Sequence, residues 1–309
     1  MKKSMPQEIQ QVLKGLALNR QPGWHFPGNF LDMSVDELGA DGVRLTVDPG
    51  RHCSDTDGQT NMSVVGMLAD IGMAVAIRKH VDFAVRMATV SMTLQFTGAP
   101  RIGLLEARGR FDGFYRDLSG QQGLSRAEIF SDGTLLCTVS GSFLVLDKSD
   151  GLQPMPMRRH GAVDSAGTLL STEALTDQEQ VVYRRACEAL GPGPGSFIER
   201  FWGFLPQKQE QGASCDFVNG LHVGNRVGHT QGGITVALAA LTASAALGTD
   251  WCLVGLSSWY IRPGTGPMLH ATANIIHQGS FTAVVQVSIS DDAGGAVLIA
   301  LSNHSRAVE

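Results

Sequence analysis

From Val64 to Ile77 every side chain is apolar or absent except that of Asp70. A run that is apolar on all faces predicts a helix covered on all faces, spanning 62–78 and closing on Arg78-Lys79-His80, cations suited to the negative end of its dipole. The stretch from Gln231 to Leu241 repeats the pattern, with Ala240 where the first run has its acid. Elsewhere the period falls to two. Strands are predicted at 42–47, 88–97, 104–110, 124–130 and 134–146, and again near 215–218, 252–261, 268–276, 281–290 and 296–301. Each set is introduced by an amphipathic helix. The first covers 7–19, with Ile9, Val12, Leu13, Leu16 and Leu18 as its apolar side, and the second runs from the capping box Thr176-Asp177-Gln178-Glu179 to Leu190. Pro22-Gly23 and Pro27-Gly28 read as interruptions of regular structure, and the aromatic segment from Phe197 to Leu205 reads as packing surface. A helix followed by a strand meander, twice, is an α+β pattern; no βαβ alternation suggests a doubly wound parallel sheet.

Composition narrows the possibilities only slightly. With 309 residues the chain suits two domains, and 43% apolar against 17% charged residues is a globular balance. A net charge of −5 offers nothing to nucleic acid or an anionic membrane. Five scattered cysteines without a C-x-x-C pair speak against a disulfide framework and a zinc site. No apolar run follows Lys2 and Lys3, and no window reaches a membrane span, so a cytoplasmic location is expected.

The two halves align by arithmetic. Asp55, Gly58 and Asn61 share their spacing with Asn225, Gly228 and Gln231, each 170 positions later, and an apolar helix follows each triplet. Pro100-x-x-Gly103 then matches Pro263-x-x-Gly266 at an offset of 163, as a shorter loop after the second helix requires. A duplicated unit of about 140 residues accounts for this. The expected division is an N-terminal unit at 1–146, a Gly-, Pro- and Met-rich linker at 147–171 and a C-terminal unit at 172–309.

The nonapeptide Asn225-Arg226-Val227-Gly228-His229-Thr230-Gln231-Gly232-Gly233, the apolar helix after it and the Pro-x-x-Gly turn resemble the hotdog fold. They most resemble the PaaI-like and 4-hydroxybenzoyl-CoA-type acyl-CoA thioesterases, over roughly 38–146 and 200–305. The resemblance implies two units, each an antiparallel sheet wrapped around its long helix, paired as an intrachain pseudo-dimer. It also implies further association into a homo-oligomer, a dimer of double hotdogs. In such proteins an acid lies nine residues after the His/Gln position, as Asp70 does after Asn61, and the site combines it with the other unit's Gly-Gly. One composite site therefore joins Asp70 to Asn225, Gln231, Gly232 and Gly233; the other joins Ala240 to Asp55, Asn61, Met62 and Ser63 and lacks an acid. Thr89, on the strand after the helix, matches a Ser or Thr that some members place beside the acid; read from the strand alone it is an ordinary β-branched residue.

Thioester hydrolysis suits these residue types. Unpaired first-turn N–H groups at a helix start can hold charge on a carbonyl oxygen, and glycine lets that oxygen approach. A partly desolvated Asp70 can activate water or attack the carbonyl to give an anhydride; the sequence leaves both routes open. Asn225 and Gln231 supply neutral donors and acceptors that orient water or thioester without neutralising the acid. Gly232 and Arg262 are the candidate contacts to the coenzyme A thioester, with Arg101 and Arg108 as further candidates for its phosphates. No cofactor is called for, and nine histidines without H-x-x-x-H or H-E-x-x-H give no metal site. His229 reads as a solvated loop histidine, no G-x-S-x-G elbow precedes a helix, and the prolines of 191–195 remove the donors a phosphate cradle needs. The expected activity is acyl-CoA, or acyl-carrier, thioester hydrolysis. The alternatives are a non-catalytic acyl-CoA-binding or regulatory protein and a hotdog hydratase or dehydratase, which would need a catalytic His that neither helix motif carries.

Overall fold

The computed structural model describes residues 5–39, 42–81, 85–116, 121–146 and 169–307. The first half comprises α1 (Gln7–Asn19), α2 (Phe26–Phe30), β1 (Ser34–Gly39), β2 (Gly42–Val47), α3 (Met62–Arg78), β3 (Arg86–Phe96), β4 (Leu105–Arg116), β5 (Gln121–Ser131) and β6 (Thr134–Leu146). The second comprises α4 (Asp177–Ala189), α5 (Phe197–Trp202), β7 (Gln207–Gln209), β8 (Gly212–Val218), α6 (Gly232–Leu247), β9 (Trp251–Tyr260), β10 (Met268–Gln278), β11 (Thr282–Asp291) and β12 (Ala296–Arg306). The linker expected at 147–171 falls almost wholly outside the described residues.

The strands form one 12-stranded sheet in the order β1-β2-β4-β5-β6-β3-β9-β12-β11-β10-β8-β7. Read outward from the centre, the two halves run through their strands in the same sequence. The central seam is antiparallel, with Met92 opposite Ser258 and Leu94 opposite Leu256. Inward positions of β4 and β5, such as Leu105, Ala107, Ala127 and Ile129, are buried while their neighbours along the strand are more exposed, which is the period-two pattern made physical.

Apolar composition on every face decides where the two long helices go. In α3 only Ala74 and Arg78 escape full burial. The helix packs on β2, β4, β5, β6 and β3; α6 packs on β8 to β12; and the helices also pack on each other. Their closest approach requires glycine: a Cβ on Gly66 would lie 2.2 Å from the Gly233 carbonyl oxygen, and one on Gly233 would lie 2.3 Å from that of Gly66.

The loops before the two helices share their backbone hydrogen bonds. Asp55 N–H donates to Gln59 O and Asn225 N–H to His229 O, both at 2.7 Å. Asn61 N–H donates to Cys53 O and Gln231 N–H to Val223 O, and Gly58 and Gly228 both have φ of 81°. Only glycine holds that conformation cheaply.

Four elements depart from expectation. The Pro27-Gly28 pair lies inside α2 rather than breaking the chain, because proline fits a first helical turn and the His25 ring nitrogen accepts from Gly28 N–H. β1 and β7 are edge strands; β1 has an irregular register against β2 and β7 is a fully exposed three-residue piece. The segment around Phe197 is both packing surface and helix. Phe201 and Trp202 of α5 meet Phe30 of α2 with ring centroids 5.0 and 5.2 Å apart. Arg20 after α1 donates twice to Glu179 of α4, at 2.8 and 2.6 Å. No helix among the described residues is long and apolar enough to cross a membrane.

Candidate functional site

Where α6 begins, it meets the middle of α3. The N-cap of α6 is Gln231, whose Oε1 accepts from Ile234 N–H at 3.0 Å. That leaves Nε2 as a donor facing outward, and it donates to Oδ2 of Asp70 at 2.6 Å. The hydroxyl of Thr89 on β3 donates to Oδ1 of Asp70 at 2.7 Å, and Gly233 N–H faces the carboxylate and favours its charge. The acid and Thr89 thus come from the first half, and Gln231 and the glycine helix start that face them from the second.

Asp70 is 6% exposed, and every group that bonds it is neutral. Burial pushes its carboxyl from the ordinary 3.8 up to about 6, while the hydrogen bonds from Thr89, Gln231 and Gly233 oppose the shift. Such an acid is ionised at neutral pH yet basic enough to take a proton from water. Gly232 faces the same spot: a Cβ there would lie 2.8 Å from Thr89 Oγ1 and 2.9 Å from Asp70 Oδ1. A helix start bare of side chains is thereby exposed to the acid.

No protein-family model matches the chain, and no curated protein matches it in sequence. Solved structures match in fold. A protein described as an oleoyl thioesterase from Lactobacillus plantarum aligns with a TM-score of 0.53 at 11% identity, over 86% of this chain and 96% of its own. The tesB protein of Mycobacterium avium subspecies paratuberculosis gives 0.50 at 12% identity, over 89% and 96%. A protein of unknown function with the hot dog fold from Alicyclobacillus acidocaldarius gives 0.53 at 8% identity, again over 89% and 96%.

The chain has the hotdog fold.

Within this hotdog sheet the second helix start is arranged differently. Asn61 caps α3, with Oδ1 accepting from Ser63 N–H at 2.9 Å and from Ser63 Oγ at 2.6 Å, while its Nδ2 donates to Asp55 Oδ1 at 2.6 Å. The indole N–H of Trp202 donates to Ser63 Oγ at 2.9 Å. Side chains therefore occupy the α3 start. Opposite, Ala240 and Met62 help line an apolar void of about 10 Å³ with Leu94, Phe96 and Leu256.

The hotdog geometry brings Asp70, Thr89, Gln231, Gly232 and Gly233 together. Asn225 is turned to its own loop, its Oδ1 accepting from Val227 and His229 N–H at 3.0 Å each. Its neighbour Arg226 ties that loop to the first half through the carbonyls of Asn19, Gln21, Gly23 and Trp24. Arg262 stands beyond the end of β9, half exposed and 4.0 Å from Asp291. Arg101 donates to Thr60 O and lies 3.6 Å from Asp55; Arg108 pairs with Glu106 and covers the Phe130 ring. Tyr260, the last residue of β9, was not among the expected residues: its hydroxyl donates to Gly232 O at 2.8 Å. Nothing in the sequence singles it out, since its place depends on strand register. Among the described residues no group of three or more His, Cys, Asp and Glu side chains could hold a metal.

Proposed function

We propose that this chain hydrolyses acyl-CoA thioesters at one composite site between two paired hotdog units. The observation that carries the reading is the Asp70 carboxylate, buried, bonded only by neutral donors and set against the glycine start of α6. In this reading the thioester oxygen accepts from the N–H of Gly232, the first residue of α6, where the positive end of the helix dipole favours the charge it gains. Asp70 takes a proton from water as the water oxygen bonds to the carbonyl carbon. The tetrahedral intermediate then collapses, the C–S bond breaks, and the thiolate leaves with the proton Asp70 held. Thr89 and Gln231 keep the carboxylate aimed without neutralising it. Two proteins of the same fold, one described as an oleoyl thioesterase and one as a tesB protein, accord with this chemistry.

The start of α3 is, in this account, a decayed counterpart. Ala240 supplies no base, and Asn61, Ser63 and Trp202 already use the groups a thioester would need. Asn225 shapes the loop that presents Gln231, and Arg262 is the candidate contact for coenzyme A phosphate at the rim. The units pair within the chain through the β3–β9 seam, and association of whole chains is a further expectation.

The test is hydrolysis of a panel of acyl-CoA thioesters, short, long and aromatic, followed by thiol release. Turnover of at least one member is expected, with a rate that rises with pH to a plateau around an apparent pKa of about 6 as Asp70 ionises. No hydrolysis of any coenzyme A or acyl-carrier thioester, or a full rate in Asp70→Asn, overturns the reading.

A further inference from the structure

Two consecutive glycines open α6, and glycine is the residue least disposed to hold helical geometry, at about 1 kcal/mol each relative to alanine. Yet donors that stabilise a developing charge work only when fixed beforehand. Something has to hold this helix start still.

The carbonyl of Gly232 and the N–H of Gly233 belong to one planar peptide and point in opposite directions. The N–H faces the Asp70 carboxylate and favours its charged form. On the other side, the carbonyl accepts from Tyr260 Oη–H at 2.8 Å. Tyr260 thus holds the peptide by its carbonyl while the N–H is turned to the acid.

Tyr260 is itself anchored by the central seam. Two residues earlier on β9, Ser258 pairs with Met92 of β3 and donates its hydroxyl to Met92 O at 3.0 Å. The strand that carries Thr89 to one side of Asp70 therefore also fixes the strand that carries Tyr260 to the far side of the peptide.

We propose that Tyr260 is a positioning residue for the reaction, its hydroxyl fixing and polarising the Gly232–Gly233 peptide that faces Asp70. The assignment rests on the thioesterase reading of the same site. A donor on the carbonyl draws electron density from the amide and strengthens donation by its N–H. Burial and the nearby Asp70 charge hold the phenol well above its ordinary value of 10, so it stays a donor wherever the carboxylate is ionised. The groups acting on Asp70 are Thr89 of β3 and Gln231 and Gly233 at the start of α6, all of them neutral, and the Asp70 charge in turn acts on Tyr260 of β9. At the other helix start the work of holding the first turn falls to the side chains of Asn61 and Ser63.

Tyr260→Phe keeps the ring and removes only the hydroxyl. In the full chain, kcat at pH 8 is expected to fall about tenfold, the scale of one neutral hydrogen bond, with KM within about twofold. Weaker donation by Gly233 N–H should also raise the midpoint of Asp70 ionisation, followed by the carboxyl carbon resonance of Asp70 in labelled protein. A raised midpoint together with the kcat loss supports the assignment. An unchanged midpoint overturns it, whatever happens to rate or melting temperature, because a merely structural tyrosine would leave the carboxylate alone. If the wild type hydrolyses no thioester, the functional reading falls by itself, and the resonance titration still decides whether Tyr260 acts on the peptide.

Discussion

Asp70 is held in a place that penalises its charge, and the penalty is measurable. Its carboxyl titrates at about 6 in the folded chain against 3.8 ordinarily. Each pK unit is 1.36 kcal/mol, so ionisation in the folded state costs about 3 kcal/mol relative to the unfolded chain. The sign follows from which state ionises first. Below pH 3.8 both states are protonated and the cost is absent. Between 3.8 and 6 the unfolded chain gives up its proton first, stability falls, and above 6 the full cost remains. Asp70→Asn cannot ionise and escapes it. The amide has one acceptor fewer, so its NH₂ must turn toward Thr89, whose hydroxyl can accept in place of donating. The net gain at pH 8 is expected at about 2 kcal/mol, which for a chain of this length is a rise of ~3 °C in melting temperature. Melting curves of the variant and wild type at pH 8 and pH 4 measure it, with the gap closing at the lower pH. A variant that is no more stable than wild type at pH 8, or a gap that does not change with pH, would refute the argument that burial of the acid strains the fold.

Other expectations follow from neighbouring contacts. Gly233→Ala places a Cβ 2.3 Å from Gly66 O, where two helix backbones would have to separate, so a loss of about 3 kcal/mol and a lower melting temperature are expected. Gly232→Ala instead meets Thr89 and Asp70 side-chain oxygens, so thioester hydrolysis should drop while melting changes little. His52, 5% exposed against the Phe30 ring, is held by burial at about 4 against an ordinary 6.5. As pH falls from 6.5 toward 4 the unfolded chain takes up the proton first, removing about 3 kcal/mol of stability, so His52→Phe should shift acid unfolding to lower pH. An unchanged acid midpoint would show that His52 is not buried neutral.

The two central helices are legible in the sequence because nothing polar competes for their faces, and the strands because one face of the sheet is dry. The loop triplets at Asp55 and Asn225 are legible for a different reason: a glycine at φ 81° and a capping amide must keep their spacing for the turn to close. What escapes is structure set by partners distant in the chain. α2 hides behind Pro27-Gly28, a breaker everywhere except in a first turn. β1 carries Asp36 and Glu37, so its alternation is masked by the Arg44 it meets across the strand pair. In the site, Asp70 stands out as the one polar residue of an apolar run, while Gln231, the glycines and Thr89 are legible only through the family resemblance of the motif and of the strand after the helix. Tyr260 is not legible, because only the register of β9 against β3 brings its hydroxyl to Gly232.

An acid of the first half and a helix start of the second act as one unit in the proposed reaction. Single-turnover hydrolysis of a reactive acyl-CoA, with Asp70→Asn, Gln231→Ala and the double variant compared at pH 8 and folding checked by melting, measures this directly. The account predicts that Asp70→Asn loses at least about a hundredfold and that the double variant loses no more than Asp70→Asn alone, since Gln231 acts through the carboxylate it holds. Losses that multiply, or an Asp70→Asn protein that hydrolyses at the wild-type rate, would contradict it.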